Sequence, residues 1–388
     1  MNKFSVKATA LMLVLVFISA FPINVYADVQ PFDINAKSAL LMDYETGTIL
    51  YEKNIHEKLP MASITKIMTV LLALEAVEEG RLNLDEEVSI SEYAASMGGS
   101  QVFLYPGEKI PVSALLKSII VASANDASVA IAEKISGTHE TFVKKMNQRA
   151  AELGMKNTNF VNCTGLPAEN HYSTAYDISL MSRELLKHPI FFKWSTIWLD
   201  NLVESKNNTE LTNTNRLVRF YDGCDGIKTG STSEALFCIS ATAKRGNLRL
   251  ISIVMAAPTS NVRFAEAAKL LDYGFANYDS VPIIKKDQIV EKDIEISGGK
   301  ERLINGIAAK DFTVLLGKEE PKSFDIKTEL QSPIKAPIDK GQKIGTLSIE
   351  KDGKVIGTID ILSDREVKSA SIYDYFKNII KRWIQKSD

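Results

Sequence analysis

The chain has 388 residues, 24% of them charged and 45% hydrophobic, with a formal net charge of −2. Nothing in that near-neutral balance points to nucleic acid as a partner. Four scattered histidines, His56, His139, His171 and His188, form no H-E-x-x-H pattern and no Cys/His cluster, so neither a metal nor any other cofactor is expected.

At the N-terminus, Lys3 and Lys7 precede an apolar run over 8–21 that Pro22 ends, and Val25-Tyr26-Ala27 supplies the small residues signal peptidase needs. The reading is a signal peptide over 1–27. The run falls short of the roughly 20 apolar residues of a membrane span, and an uncleaved anchor is the alternative. The remainder is long enough for two domains and a third small element. Three cysteines, Cys163, Cys224 and Cys238, are an odd number for an exported chain. Buried free thiols are the plain expectation. A Cys224–Cys238 bridge would need the flanking segments to pair as a hairpin.

Residues 38–53 read as two strands about the turn Tyr44-Glu45-Thr46-Gly47. A helix opening near Pro60 runs through Ile67, Met68, Val70, Leu71, Leu72, Leu74 and Val77 to Gly80. It is apolar on nearly all faces and must lie inside a domain. Helical patterns follow over 111–120, 124–135, 142–153 and 176–187, strand patterns over 226–231, 236–242 and 248–255, and a last helix over 262–273. Strand, helices, strands and a closing helix describe an α+β or sandwich-like domain over 28–280, its sheet completed by both chain ends. Over 281–366 the pattern becomes short alternating runs. Phe324, Ile326, Thr328 and Leu330 alternate with charges, and Leu347-Ser348-Ile349 joins Val355-Ile356 across the hairpin signal Asp352-Gly353. This is a small all-β domain. In the last segment, 367–388, Ile372, Phe376, Ile379, Ile380 and Trp383 recur at helical spacing, with Lys377, Lys381, Arg382 and Lys386 on the other faces. Such a helix carries too many charges to span a bilayer and suits a membrane surface. Packing on the β domain is the alternative.

The chemistry gathers in three short motifs. Ser63-Ile64-Thr65-Lys66 puts a hydroxyl and an amine on one helix face, a nucleophile beside a base. Ser297, Ser332 and Ser348 also begin S-x-x-K matches, but in turn- or strand-like stretches; only Ser63 opens an apolar helix, where backbone N–H groups favour developing negative charge. Ser123-Ala124-Asn125 falls on a short connection between helices, although Ser205-Lys206-Asn207 fits the same pattern. Lys228-Thr229-Gly230 occurs once, in a strand, where a glycine marks close approach of a ligand or another backbone. A peptide substrate could lie along that strand edge.

In this order the three motifs resemble those of the penicillin-recognising serine enzymes. Within them the chain resembles a low-molecular-mass penicillin-binding protein, a D-alanyl-D-alanine carboxypeptidase with a small C-terminal β domain and a membrane-binding tail. The likeness extends to Ala39-Leu40-Leu41-Met42-Asp43 and Thr164-Gly165-Leu166. It implies a transpeptidase-type domain, an antiparallel sheet flanked by helices, acting on stem peptides that end in D-Ala-D-Ala at the outer face of the cytoplasmic membrane, with β-lactams as covalent inhibitors. It also implies the roles. Ser63 is acylated by the penultimate D-alanine, Lys66 takes its proton, and Ser123 relays a proton to the departing D-alanine. Asn125 binds the substrate amide and orients Lys66, while Lys228 and Thr229 meet the terminal carboxylate beside Gly230. The Ser63 and Ser231 N–H groups form the oxyanion hole, and Arg263 either assists the carboxylate or is a plain surface arginine. For Lys66 to work near neutrality its pKa must fall by roughly three from about 10.4, through burial and the Lys228 ammonium. A class A β-lactamase shares the motifs, but its second base is matched only by Glu169, without an E-x-x-L-N pattern. A wall-binding or antibiotic-sensing protein that acylates and stops is the non-enzymatic alternative. Release of D-alanine separates the carboxypeptidase from both.

Overall fold

The computed structural model describes residues 32–374. The expected signal peptide over 1–27 and the apolar stripe from Phe376 to Trp383 lie outside the described residues.

Strand β1 (Ser38–Asp43) is buried along its whole length, as a run apolar on both faces demands of a central strand. It turns into β2 (Ile49–Lys53) through a loop that the Asp43 carboxylate closes by accepting the Thr46 N–H at 2.8 Å and its hydroxyl at 2.6 Å. Helix α1 (Lys66–Glu78) follows, with Ile67, Met68, Val70, Leu71 and Leu74 buried on several faces. It starts later than the sequence pattern suggests. Residues Ala62–Thr65 form a 3-10 turn, because Ala62 sits at φ 48, outside the helical region, and Thr65 bonds the Ala62 carbonyl at 2.8 Å.

A helical block comes next: α2 (Val112–Ala122), α3 (Asn125–Ser136), α4 (His139–Glu152) and α5 (Ala175–Leu185). Helix α4 begins three residues before the apolar pattern does, since Thr138 caps it by accepting the Thr141 N–H. A two-stranded ribbon, β3 (Leu199–Leu202) with β4 (Thr209–Thr212), is too short and too polar to have announced itself. The chain then returns to the main sheet through β5 (Cys224–Thr232), β6 (Leu236–Arg245) and β7 (Leu248–Ala257), and closes with α6 (Ser260–Asn277).

The sheet is antiparallel in the order β2-β1-β7-β6-β5, so β5 is an edge. Ser252 of β7 donates to the Ala267 carbonyl of α6, while Ser240 of β6 bonds Ser182 of α5. Ser252 lies opposite Ala241 and Ser240 opposite Ile253, so the two serines point to opposite faces and helices cover both. The same register separates the cysteines. Cys238 faces Gly230 and Cys224 faces Ala243, at opposite ends of the β5–β6 pair. All three thiols are buried and free.

The β-rich portion pairs β8 (Tyr278–Ile284) with β11 (Phe312–Gly317), and builds a five-stranded sheet in the order β9-β10-β14-β13-β12 from β9 (Ile289–Glu295), β10 (Leu303–Ala308), β12 (Asp325–Leu330), β13 (Lys343–Lys351) and β14 (Lys354–Ser363). Asp352 at φ 51 and Gly353 at φ 74 join β13 to β14, the two positive values that a tight two-residue hairpin needs. A separate apolar core holds it together, including Ile304, Leu347, Ile349, Ile359 and Ile361. Ile361→Ala, at a wholly buried position, is expected to lower stability by about 2–5 kcal/mol in urea unfolding, and Ile326→Ala on the exposed edge strand by under about 0.5 kcal/mol.

Candidate active site

Three segments meet at one cleft of about 530 Å³, whose wall includes Ser63, Ser123, Thr229, Gly230, Ser231 and Arg263. Ser63 comes from the 3-10 turn ahead of α1. Ser123 ends α2 in the left-handed region, at φ 64, a conformation that costs a non-glycine residue about 1 kcal/mol or more and turns the chain sharply into α3. Asn125 is the first residue of α3. Thr229, Gly230 and Ser231 lie on the edge strand β5, which leaves one row of its backbone groups without a strand partner.

Lys66 is fully buried, and its ammonium nitrogen donates to Ser63 Oγ at 2.9 Å and to the Thr164 carbonyl at 2.6 Å. Burial lowers its pKa to about 7, against smaller opposing pulls from Cys163 and Asp126. Lys228 is depressed as well, first by burial and then by the charges of Lys66 and Arg263. The repulsion that the sequence suggested would act on Lys66 thus falls on Lys228, and desolvation is what moves Lys66. Lys228 donates to the Thr229 carbonyl at 3.0 Å and to the Thr214 hydroxyl at 3.4 Å.

One placement differs from expectation, and one open alternative is decided. Asn125 Nδ2 goes to the Gly98 carbonyl at 2.7 Å rather than to Lys66, which leaves its buried Oδ1 without a protein partner. Arg263 is not a surface residue: it is 6% exposed, donates to the Gly230 and Cys238 carbonyls at 3.3 and 3.4 Å, and stacks on Phe264. Burial brings its pKa down to about 10, and its Nε has no protein partner. Unpaired polar atoms this deeply buried are costly. Glu169 lies elsewhere, in a neighbouring pocket of about 300 Å³ behind the Ser63 turn.

Residues the motifs did not reveal also line the cleft: Ser100, Trp198, Thr214 and Arg216. They sit in irregular segments without periodicity. The Asn213-Thr214-Asn215 run was a readable turn signal: Asn213 Oδ1 accepts the Asn215 N–H, and Asn215 Nδ2 reaches the Gly226 carbonyl, pegging this loop to β5. Thr164 enters through its backbone carbonyl, which no motif encodes.

Glycines let these pieces close. A Cβ on Gly230 would lie 2.8 Å from the Met61 carbonyl and 2.9 Å from the Ser63 nitrogen, so the strand glycine serves approach by another backbone. At Gly165, φ +86, a Cβ would lie 1.9 Å from the Ala62 carbonyl.

A serine hydroxyl bonded to a desolvated lysine amine, under a Lys-Thr-Gly strand edge, defines a serine acyl-transfer enzyme of the penicillin-recognising class. Residues 24–259 match the model of the D-alanyl-D-alanine carboxypeptidase family, and residues 278–369 that of the penicillin-binding protein 5 C-terminal domain. The D-alanyl-D-alanine carboxypeptidase DacF of Bacillus subtilis is 46% identical over 351 residues, 90% of each chain. The structure of penicillin-binding protein 5 from Haemophilus influenzae superposes with a TM-score of 0.73 at 32% identity, covering 88% of this chain and all of that one. Penicillin-binding protein D2 from Listeria monocytogenes, solved in its ampicillin-bound form, gives 0.54 at 33% identity over 65% of this chain and 99% of its own. The chain belongs to the D-alanyl-D-alanine carboxypeptidase family of serine hydrolases, with the small β domain that accompanies it.

Gly165→Ala must displace either the loop or the Ala62 carbonyl. It is expected to lower Tm by several degrees and to slow β-lactam labelling at least tenfold, read by thermal unfolding and by a fluorescent penicillin.

Proposed function

We propose that this chain removes the terminal D-alanine from peptidoglycan stem pentapeptides through an acyl-enzyme on Ser63. The 2.9 Å hydrogen bond between Ser63 Oγ and the buried Lys66 amine carries the reading. With a pKa near 7, Lys66 is substantially neutral at physiological pH and accepts the Ser63 proton as Oγ attacks the penultimate D-alanine carbonyl. The oxyanion forms at the Ser63 and Ser231 N–H groups. As the peptide bond breaks, Ser123 passes a proton to the departing amine and free D-alanine leaves. Water then attacks the ester, releasing the shortened stem and restoring the Ser63 hydroxyl.

The terminal carboxylate lies against Lys228, Thr229 and Arg263, and the unpaired Asn125 Oδ1 accepts the N–H of a substrate amide. A bound carboxylate holds Lys228 in its charged form, and that charge in turn favours a neutral Lys66. A β-lactam enters the same way and forms a covalent ester on Ser63.

The assigned domains are a signal peptide over 1–27, the catalytic domain over 28–280, a spacer over 281–366 and a membrane-surface helix over 367–388. Together they put the protein on the outer face of the cytoplasmic membrane, its cleft toward the wall. Among the described residues no helix is long and apolar enough to cross a membrane. Ile372, at the head of the amphipathic stripe, is 81% exposed, which supports a stripe turned away from the β domain.

Ser63→Ala is expected to lose both penicillin labelling and D-alanine release from a diacetyl-Lys-D-Ala-D-Ala peptide; mass mapping of the acyl adduct to Ser123 or Ser231 instead would overturn the assignment. Because only the neutral amine accepts a proton, acylation should rise about tenfold per pH unit below pH 7 and level off above it. Lys66→Arg should be nearly inactive, Lys228→Arg milder. Deleting residues from Ser369 onward should release the protein from membranes and leave its turnover of soluble peptide within a few-fold of the parent; a truncated chain that still sediments with vesicles defeats the anchor reading.

A further inference from the structure

We propose that His171 is a positioning residue for acyl transfer, a neutral imidazole that ties the turn carrying Ser63 to the loop carrying Thr164. The inference rests on Ser63 and Lys66 being the nucleophile and base.

His171 is buried, and both ring nitrogens are engaged. Nδ1 accepts the Val161 N–H at 3.0 Å, and Nε2 lies 2.7 Å from Thr65 Oγ1. Two donors fix the tautomer. The Val161 N–H requires a lone pair on Nδ1, so the ring proton sits on Nε2. Thr65 spends its own hydroxyl proton on the Ala62 carbonyl at 2.8 Å, so its oxygen accepts from Nε2. The result is a directed chain from the Val161 N–H through the imidazole and the Thr65 hydroxyl to the Ala62 carbonyl, in which each bond polarises the next. Burial keeps the ring uncharged down to about pH 4.

The chain ends one residue before Ser63. Ala62 holds a positive φ of 48, a conformation that persists where its surroundings over-determine it. Gly165 lies directly over the Ala62 carbonyl, and its neighbour Thr164 offers the carbonyl that holds the Lys66 amine. Thus nucleophile and base take their positions from one loop, and His171 is the side chain that crosses from that loop to the nucleophile's turn. His171 does not line the acyl-transfer cleft; it borders the pocket behind the turn. Its action is therefore on geometry and not on substrate.

The test measures the second-order acylation rate by a penicillin, kcat and KM for peptide, and Tm, on the full chain. His171→Ala and Thr65→Val should each slow acylation about ten- to a hundredfold, lowering kcat with KM within about twofold, at temperatures well below Tm. Thr65→Ser, which keeps the hydroxyl, should acylate within about threefold of wild type. The double variant His171→Ala/Thr65→Val should be no slower than the slower single one, because the two act through one link. Should His171→Ala not fold, the Thr65→Val and Thr65→Ser pair reads the same link. Near-wild-type acylation in Thr65→Val, no recovery in Thr65→Ser, or losses that multiply in the double variant would overturn the proposal. Mapping the adduct in wild type keeps the two readings apart: a label away from Ser63 sinks the functional assignment, and a label on Ser63 with unchanged rates in the variants sinks only the role of His171.

Discussion

A lysine amine held out of water is the constraint on which the rest of this structure depends. Lys66 is wholly buried; it bonds a serine hydroxyl and a backbone carbonyl, and among the described residues no carboxylate is bonded to it. An ammonium in that setting is disfavoured, and the group answers by releasing its proton more readily. A carboxylate close enough to pair would have held the lysine in its charged form. Asp126, buried nearby, instead spends its oxygens on the N–H groups of Val102, Leu104 and Ala127, which keeps it occupied with the loop beside Ser100. Burial of α1 on several faces thus lowers the pKa of Lys66 as well as filling the core.

Holding the strand edge against that amine is the second demand. β5 must come close enough to the Ser63 turn for Thr229 and Ser231 to share its cleft, and the glycine between them is what permits it. Arg263, in the same cleft wall, braces the strand through the Gly230 carbonyl, with its guanidinium 4.4 Å from the Phe264 ring and 5.7 Å from the Phe237 ring. On this side of the cleft Lys228 and Arg263 are both buried, and burial lowers the pKa of each.

Much of this was legible in the residues. The central strand and the buried helix followed from unbroken apolar runs, the β13–β14 hairpin from Asp352-Gly353, and the juxtaposition of Ser63, Ser123 and Thr229 from three short motifs whose order is distinctive. What stayed hidden has physical causes. The 3-10 turn at Ala62–Thr65 depends on a loop a hundred residues away in the chain, and the hand-hold on Lys66 is a carbonyl, which every residue possesses. Trp198, Thr214 and Arg216 reach the cleft from segments whose paths are set by tertiary contacts, where side-chain periodicity carries no signal. Arg263 was visible as a residue, but its burial follows from where α6 crosses the sheet.

The order of the main sheet has a temporal side. β1 lies between β2 and β7, pairing Leu40 with Ile253, so about two hundred residues of chain must be in hand before the central strand gains its second neighbour. A chain growing from its N-terminus can form the β1–β2 hairpin and parts of the helical block early, but Ser63 and Lys66 remain without the strand edge that shares their cleft. The cleft therefore gains its last wall only with the strands that close the sheet, and an incomplete chain carries Ser63 and Lys66 without it.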